Sequence, residues 1–139
     1  MQEQLVSFKV AKLAKEKLFG IDFVGTEYVP AFYCKKSDVN NFQETEIQIE
    51  DGFMKDFYLR PTQSLLQKWL RDKHEIHIFV IPCEPSSYSK YKHLSVVWIY
   101  DIYKHLLVEY GHSNKGDNLS YEQALDEGLY EALTLIKNE

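Results

Sequence analysis

The chain has 139 residues, with 21 Asp and Glu against 16 Lys and Arg, a formal net charge of −5, and 45% hydrophobic residues. This length predicts one domain over residues 1–139 with its own core, and this hydrophobicity excludes intrinsic disorder. The longest apolar run, near 96–100, is far shorter than the roughly 18 residues of a membrane span. The N-terminal stretch has no apolar block, so we expect no secretory signal, no membrane contact and a cytoplasmic location.

The negative net charge also opposes binding to nucleic-acid backbones, which requires a basic face. The sequence comes closest to a basic cluster at Lys68, Arg71, Lys73 and His74, and the acids Asp72 and Glu75 interrupt this cluster. This pattern is typical of a solvated helix face, and we expect no nucleic-acid partner. Stacking of single-stranded nucleic acid on aromatic side chains is an alternative, although such sites normally lie in a basic groove.

The first elements along the chain are a helix and a strand. Apolar residues recur at helical spacing over 7–18, and Gly20 suits a helix C-cap. Residues 28–34 predict a strand that Pro30 weakens or places at a sheet edge. The stretch 35–45 is polar and predicts a loop.

Two further strands and a helix follow. Residues 46–50 and 53–59 alternate imperfectly around Asp51-Gly52, a hairpin-type turn signal. A second helix begins after Pro61, with Thr62 as a plausible cap. Its apolar stripe predicts an end near residue 73 or 74.

The next strands surround a loop. Residues 76–81 have strand composition, and Pro82 predicts the end of that strand. After a loop over 85–92, the alternation over 94–101 predicts a returning antiparallel strand. The segment 102–110 is compatible with either a helix or a strand.

The last helix carries the clearest signals. Ser120 can cap it while Gln123, three residues later, reaches back, and an apolar stripe continues over 121–137. Gly128 lies on that stripe and predicts a close approach to a sheet. The complete order is a helix, two or more strands, a helix, two strands and a helix. Written α-β-β-α-β-β-α, it predicts an α+β fold in which an antiparallel sheet of about four strands packs with three helices.

Two segments resemble a known group of proteins. Residues 61–78, with the sequence PTQSLLQKWLRDKHEIHI, are similar to the central block of short, uncharacterised phage- or prophage-type bacterial proteins. Residues 120–133, with the sequence SYEQALDEGLYEAL, are similar to their closing helix. The order of elements also resembles the phage α-β-α sandwich domain. The segments 35–45 and 104–118 have no counterpart, and the resemblance implies a fold but no reaction, substrate or cofactor.

Candidate reactive residues do not form a recognisable motif. The five histidines and two cysteines are His74, His77, His93, His105, His112, Cys34 and Cys83. Zinc needs three or four convergent ligands, and no nucleophile or phosphate-binding motif is present. We therefore predict no catalytic, cofactor or metal site, and we expect both cysteines to be thiols. A small metal-dependent or cysteine enzyme that uses His74, His77 and Cys83 is the alternative.

Tyrosine is abundant, with ten residues in the chain. β-Propensity explains many of them, but tyrosine is also enriched in binding surfaces. Tyr88 and Tyr91 lie in the polar loop 85–92 and cannot both be core residues. The sequence therefore predicts a protein-binding or adaptor module with Tyr88 and Tyr91 as contact residues, and the contact is with another protein or with a second copy in a homodimer.

Overall fold

The computed structural model describes residues 4–17, 19, 28–35, 38–48, 57–104, 108–109 and 118–136. Within these ranges the chain forms three α-helices and two antiparallel sheets of three strands each. The predicted α+β class, the antiparallel pairing and the three helices are confirmed. The strands differ from the single predicted sheet of about four, because the strands before the second helix and those after it form two separate sheets.

The described residues group into two compact units, Met1–Thr62 and Gln63–Lys137. The first unit contains α1 (Phe8–Glu16), β1 (Tyr28–Lys35), β2 (Asp38–Gln48) and β3 (Phe57–Leu59). The second unit contains α2 (Gln63–His74), β4 (Ile76–Cys83), β5 (Val97–Lys104), β6 (Val108–Glu109) and α3 (Tyr121–Thr134). The single domain predicted over residues 1–139 stays a prediction.

Helix α1 begins where the sequence predicts and ends earlier. The Ser7 side chain caps it by accepting a hydrogen bond from the Val10 main-chain N–H at 3.4 Å. The helix buries Val10, Ala11 and Ala14, of which Val10 and Ala14 lie on the predicted apolar side, whereas Leu13 of that side is half-buried. Its last residue is Glu16, and the predicted cap Gly20 lies outside the described residues.

The first sheet has the order β2-β1-β3. The polar segment predicted as a loop over 35–45 is mostly the strand β2, because β1 pairs with it from Tyr28↔Gln48 to Lys35↔Asp38. The predicted edge position of Pro30 is wrong, since β1 is the central strand. Pro30 is compatible with that position because β3 pairs only with Ala31–Tyr33 of β1. The turn signal at Asp51-Gly52 lies outside the described residues.

Aromatic side chains connect α1 with this sheet. The Phe8 ring stacks on Phe42, with 4.1 Å between ring centroids, and meets Phe32 and Tyr58 edge-on at 5.1 and 5.4 Å. Lys15 Nζ donates a hydrogen bond to the Phe57 carbonyl at 2.6 Å. These contacts use only packing groups and main-chain partners, which indicates a structural role for this part of the first unit.

The second sheet has the order β4-β5-β6, and β4 pairs with β5 over eight residues, from Ile76↔Lys104 to Cys83↔Val97. Strand β5 lies three residues later than predicted at both ends. The segment 102–110, which the sequence leaves open between a helix and a strand, begins as a continuation of β5. The alternation of side chains persists there through Ile102 and Tyr103. At the other end of β5, Trp98 exchanges main-chain hydrogen bonds with Asn118 at 2.9 and 3.0 Å.

Helices α2 and α3 contact the second sheet: both contact β4, and α3 also contacts β5. The buried side chains of the strands include Ile76, Ile78 and Ile102. The buried side chains of the helices are Gln63, Leu66, Trp69 and Leu70 of α2, and Ala124, Leu125, Leu129, Ala132 and Leu133 of α3. Trp69 and Leu129 are therefore packing residues, as the helical stripes predict.

Helix α3 has the predicted start. The Ser120 hydroxyl accepts a hydrogen bond from the Gln123 main-chain N–H at 3.1 Å. The Gln123 side-chain oxygen reaches back one residue beyond the capping residue and accepts from the Leu119 N–H at 2.9 Å. Two main-chain donors at the helix start are thus satisfied by side chains.

Removal of this cap has a predictable effect. Replacing Ser120 with Ala should lower the free energy of unfolding by about 1 kcal/mol, because one helix N–H loses its acceptor. Ser120→Asp should keep the stability close to that of the original chain, since Asp is an equally good N-cap. Urea denaturation of the three proteins measures the difference. Equal stability of the Ala variant would show that this cap does not form in solution.

The predicted close approach at Gly128 is also present. A Cβ atom at this position would lie 3.0 Å from Ile78 Cγ2 and 3.2 Å from Tyr100 Cγ. The buried Tyr100 hydroxyl donates a hydrogen bond to the Glu131 carboxylate. Burial, followed by this bond to Glu131, raises the pKa of Tyr100 above its ordinary value. Helix α3 is thus held to the sheet by close packing at one point and by a polar contact at another.

Candidate protein-contact surface

The loop that carries Tyr88 and Tyr91 is built from short hydrogen-bonded turns. The hydroxyls of Ser86 and Ser89 accept hydrogen bonds from the main-chain N–H groups of Tyr88 and Tyr91, at 3.2 and 3.1 Å. Serine hydroxyls stabilise turns in this way. The Ser89 N–H also donates to the Ser86 carbonyl at 2.9 Å. The loop therefore has local structure of its own.

The two tyrosines differ in exposure. Tyr88 is 97% exposed, whereas Tyr91 is half-buried, with the Lys90 ammonium 5.0 Å from its ring centroid. An aromatic side chain that is held almost fully in solvent gains nothing from folding, which fits the contact role predicted for Tyr88. That role stays a prediction for both residues.

Further apolar side chains on the same hairpin are exposed. Among the described residues, five of the exposed large apolar side chains belong to β4 or to the connection between β4 and β5: Phe79, Ile81, Tyr88, Leu94 and Val96. We call these five residues the hairpin surface. Exposed apolar residues that occur singly are ordinary, whereas neighbouring exposed apolar residues are typical of an interaction site, and Phe79 and Ile81 line one groove together.

Part of this surface is concave. A groove of about 420 Å³ lies against the β4–β5 ladder and is lined by Phe79, Val80, Ile81, Asp101 and Tyr103. We call it the sheet groove. Phe79 and Ile81 are 46% and 40% exposed, and the Phe79 ring meets the Tyr103 ring edge-on at 5.6 Å. The groove is thus open to solvent and mainly apolar.

Among the described lining residues, one carboxylate interrupts the apolar surface. Asp101 is half-buried and lies directly opposite Phe79 in the antiparallel register. Neither the Arg60–Glu44 ion pair nor the Lys68–Asp72 ion pair includes Asp101, and no cation among the described residues pairs with its carboxylate. A half-buried carboxylate beside apolar side chains is only partly hydrated, and a cation at this place would be favourable.

The outer edge of β4 is poorly suited to accept another strand. Gln67 Nε2 donates to the Ile78 carbonyl at 3.0 Å, so the main-chain groups of Ile78 point away from β5. Every second residue shares this direction, which places Val80 and Pro82 at the same edge. Pro82 has no N–H to offer, and the Ile78 carbonyl is already engaged. Strand addition at this edge is therefore disfavoured, and the face is the available surface.

The same geometry corrects the prediction that Pro82 ends the strand. Strand β4 continues through Pro82 to Cys83 and pairs with Trp98 and Val97. Proline is tolerated because its missing N–H faces the outer edge, where no ladder hydrogen bond is lost.

The residues of the enzyme alternative do not converge. His77 and Cys83 lie six residues apart on the same strand, which separates them by about 20 Å. His74 precedes Glu75, whose φ of 56° reverses the chain between α2 and β4. No group of three or more potential metal ligands occurs within the described ranges. Cys83 is a half-buried thiol, as predicted, whereas the side chain of Cys34 and residues His105 and His112 lie outside the description.

Sequence reasoning did not identify the sheet groove. Strand β4 is apolar at most positions, and such a run is equally typical of a strand buried on both faces. The available signal was Asp101, a charged residue within an apolar strand segment. Its partner residue Phe79 became evident only from the register.

Within the described part of the chain, no helix is long and apolar enough to cross a membrane. The residues that carry the resemblance to phage-type proteins include packing residues such as Trp69 and Leu129. Comparisons with protein-family models, curated proteins and solved structures found no match, so the resemblance stays a prediction.

Proposed function

We propose that this chain is a small protein-binding or adaptor module that acts through the hairpin surface and without catalysis of its own. The observation that carries this proposal is the concentration of exposed apolar side chains on one hairpin, with Tyr88 97% exposed at its connection. Tyrosine provides a large contact area and a polar tip at a low entropic cost. Binding would bury this area, which folding leaves in water.

The resemblance to phage- and prophage-type proteins supports a setting in phage or mobile-element biology. In that setting an adaptor contacts another protein of the element or of the host cell. Self-association through the hairpin surface is the second mode of protein contact, and the experiment below separates the two.

The double variant Tyr88→Ser/Tyr91→Ser tests the proposal. We expect it to stay folded, with a slightly lower thermal midpoint because Tyr91 is half-buried, and to bind the protein partner at least tenfold more weakly, because aromatic anchors dominate such interfaces. The partner is captured from the native host, identified, purified and titrated against each protein by calorimetry. Sedimentation of the isolated chain reports self-association.

Leu119→Ser is the matched control, because Leu119 is 54% exposed but lies outside the hairpin surface. Its affinity should equal that of the original chain. The proposal fails if the double variant and the original chain bind the purified partner equally. It also fails if the chain sediments as a monomer and captures no partner.

A further inference from the structure

We propose that the sheet groove binds a segment of a partner protein in which an apolar side chain stands next to a lysine or arginine. This inference rests on the proposed protein-binding function and gives the chemistry of the partner. The occupant of the groove is a segment of a protein other than this chain.

The apolar part of the partner is inferred from the lining. Phe79 and Ile81 are each about half exposed and form walls of a groove of about 420 Å³. This volume falls within the roughly 300–1,000 Å³ of clefts that take small ligands, although the groove is open on one side. A leucine, isoleucine or phenylalanine placed there would remove apolar surface from water on both molecules.

The basic part is inferred from Asp101. Its carboxylate lies opposite Phe79 on the groove side of the ladder, and the described residues supply it with no ion pair. An apolar occupant alone would cover this carboxylate and leave a charge without water, which is costly. An occupant with an adjacent lysine or arginine would pair with it, and arginine would do so with two parallel hydrogen bonds.

Overall charge favours the same partner. The chain carries a net charge of −5, so a basic segment is attracted at long range as well as at the groove. Within the hairpin itself, Lys90, Lys92 and Lys104 outnumber Glu84 and Asp101, so the local attraction for a basic segment comes from Asp101 in the groove.

A second copy of this chain fits the groove less well. In a two-fold dimer the same patch meets itself, and the groove of one copy would face the groove of the other. The two Asp101 carboxylates would then approach each other, and like charges in an apolar contact are unfavourable. Strand addition at the β4 edge is opposed by Gln67 and Pro82, as described above.

Peptide selection on the immobilised 139-residue chain tests the inference. A library of random linear 12-residue peptides is selected against the original chain and against Asp101→Lys. We expect the original chain to enrich peptides in which a large apolar residue neighbours Lys or Arg. We expect Asp101→Lys to enrich peptides in which Asp or Glu takes the basic position.

The affinities of selected peptides give the second measurement. Asp101→Asn and Phe79→Ser should each raise the Kd of the selected peptides by about tenfold or more. Glu84→Gln removes the same charge outside the groove and should change Kd by less than twofold. The affinity for the original chain should fall with added salt, and this dependence should be smaller for Asp101→Asn.

The outcomes separate this inference from the proposed function. If the natural partner depends on Tyr88 and Tyr91 but binds Asp101→Asn and Phe79→Ser with unchanged affinity, the inference is wrong while the function stands. Enriched peptides without a basic residue overturn it in the same way. Dimerisation of the chain that Phe79→Ser abolishes would assign the groove to a second copy instead. If Phe79→Ser does not fold, Asp101→Asn decides, because it is nearly isosteric with the original residue.

Discussion

Replacing Leu66 with Ala is expected to lower the free energy of unfolding by about 2–5 kcal/mol. Leu66 is fully buried in α2, and the truncation removes apolar contacts and leaves a cavity among the packed side chains. Helix α2 contacts both α3 and β4, so neighbouring elements cannot collapse freely into the space. Denaturation in urea, followed by the fluorescence of Trp69 and Trp98 in the same unit, measures this loss.

The adjacent residue gives a matched control. Leu65 lies on the same helix and is 37% exposed, so Leu65→Ala changes the helix propensity identically but removes less buried surface. We expect it to cost less than about 1 kcal/mol. Equal losses for the two variants would contradict the orientation of α2. A larger loss for Leu65→Ala would show that Leu65, and not Leu66, lies on the buried side of α2.

The elements predicted best are those whose signals are local. The start of α3 depends on Ser120 and Gln123, which are three residues apart, and the structure has both hydrogen bonds. The end of α2 follows from the change between helical and strand periodicity near His74. Such signals involve side chains within one turn of each other, so they can be evaluated without knowing the tertiary structure.

The elements predicted poorly depend on partners that are distant in sequence. Strand β2 has a polar sequence with low strand propensity, and it is a strand because β1 pairs with it. Strand β5 includes 102–104, which alone are compatible with either structure, because they pair with Ile76–Ile78. A sheet register is a property of two segments, and neither sequence specifies it alone.

The candidate surface was predictable only where its signals are local. Tyr88 and Tyr91 lie in a polar loop between two strands, and this local context predicts exposure for at least one of them. The sheet groove requires Phe79 and Asp101 to be opposite each other, which only the register provides. The composition of β4 does not distinguish a covered face from an open one.

Larger side chains at Gly128 are expected to destabilise the second unit strongly. An added Cβ would lie 3.0 Å from Ile78 Cγ2 and 3.2 Å from the Tyr100 ring, and both side chains are buried. Alanine gains about 1 kcal/mol of helix propensity over glycine, but overpacking in a core typically costs about 1–3 kcal/mol. We therefore expect a net loss of about 1 kcal/mol for Gly128→Ala and of about 3 kcal/mol or more for Gly128→Leu. Urea denaturation measures both losses.

Two comparisons distinguish a steric cause from an effect on the helix. Glu127→Ala, at the neighbouring exposed position, should change stability by less than about 0.5 kcal/mol. Ile78→Ala removes the γ-carbon nearest to the new Cβ, so Gly128→Ala should be less harmful in that background, with an interaction energy of about 0.5–3 kcal/mol. If Gly128→Ala instead stabilises the original chain, helix propensity outweighs the contact and α3 does not lie this close to the sheet. If the two losses simply add, Ile78 is not the group that excludes a side chain at Gly128.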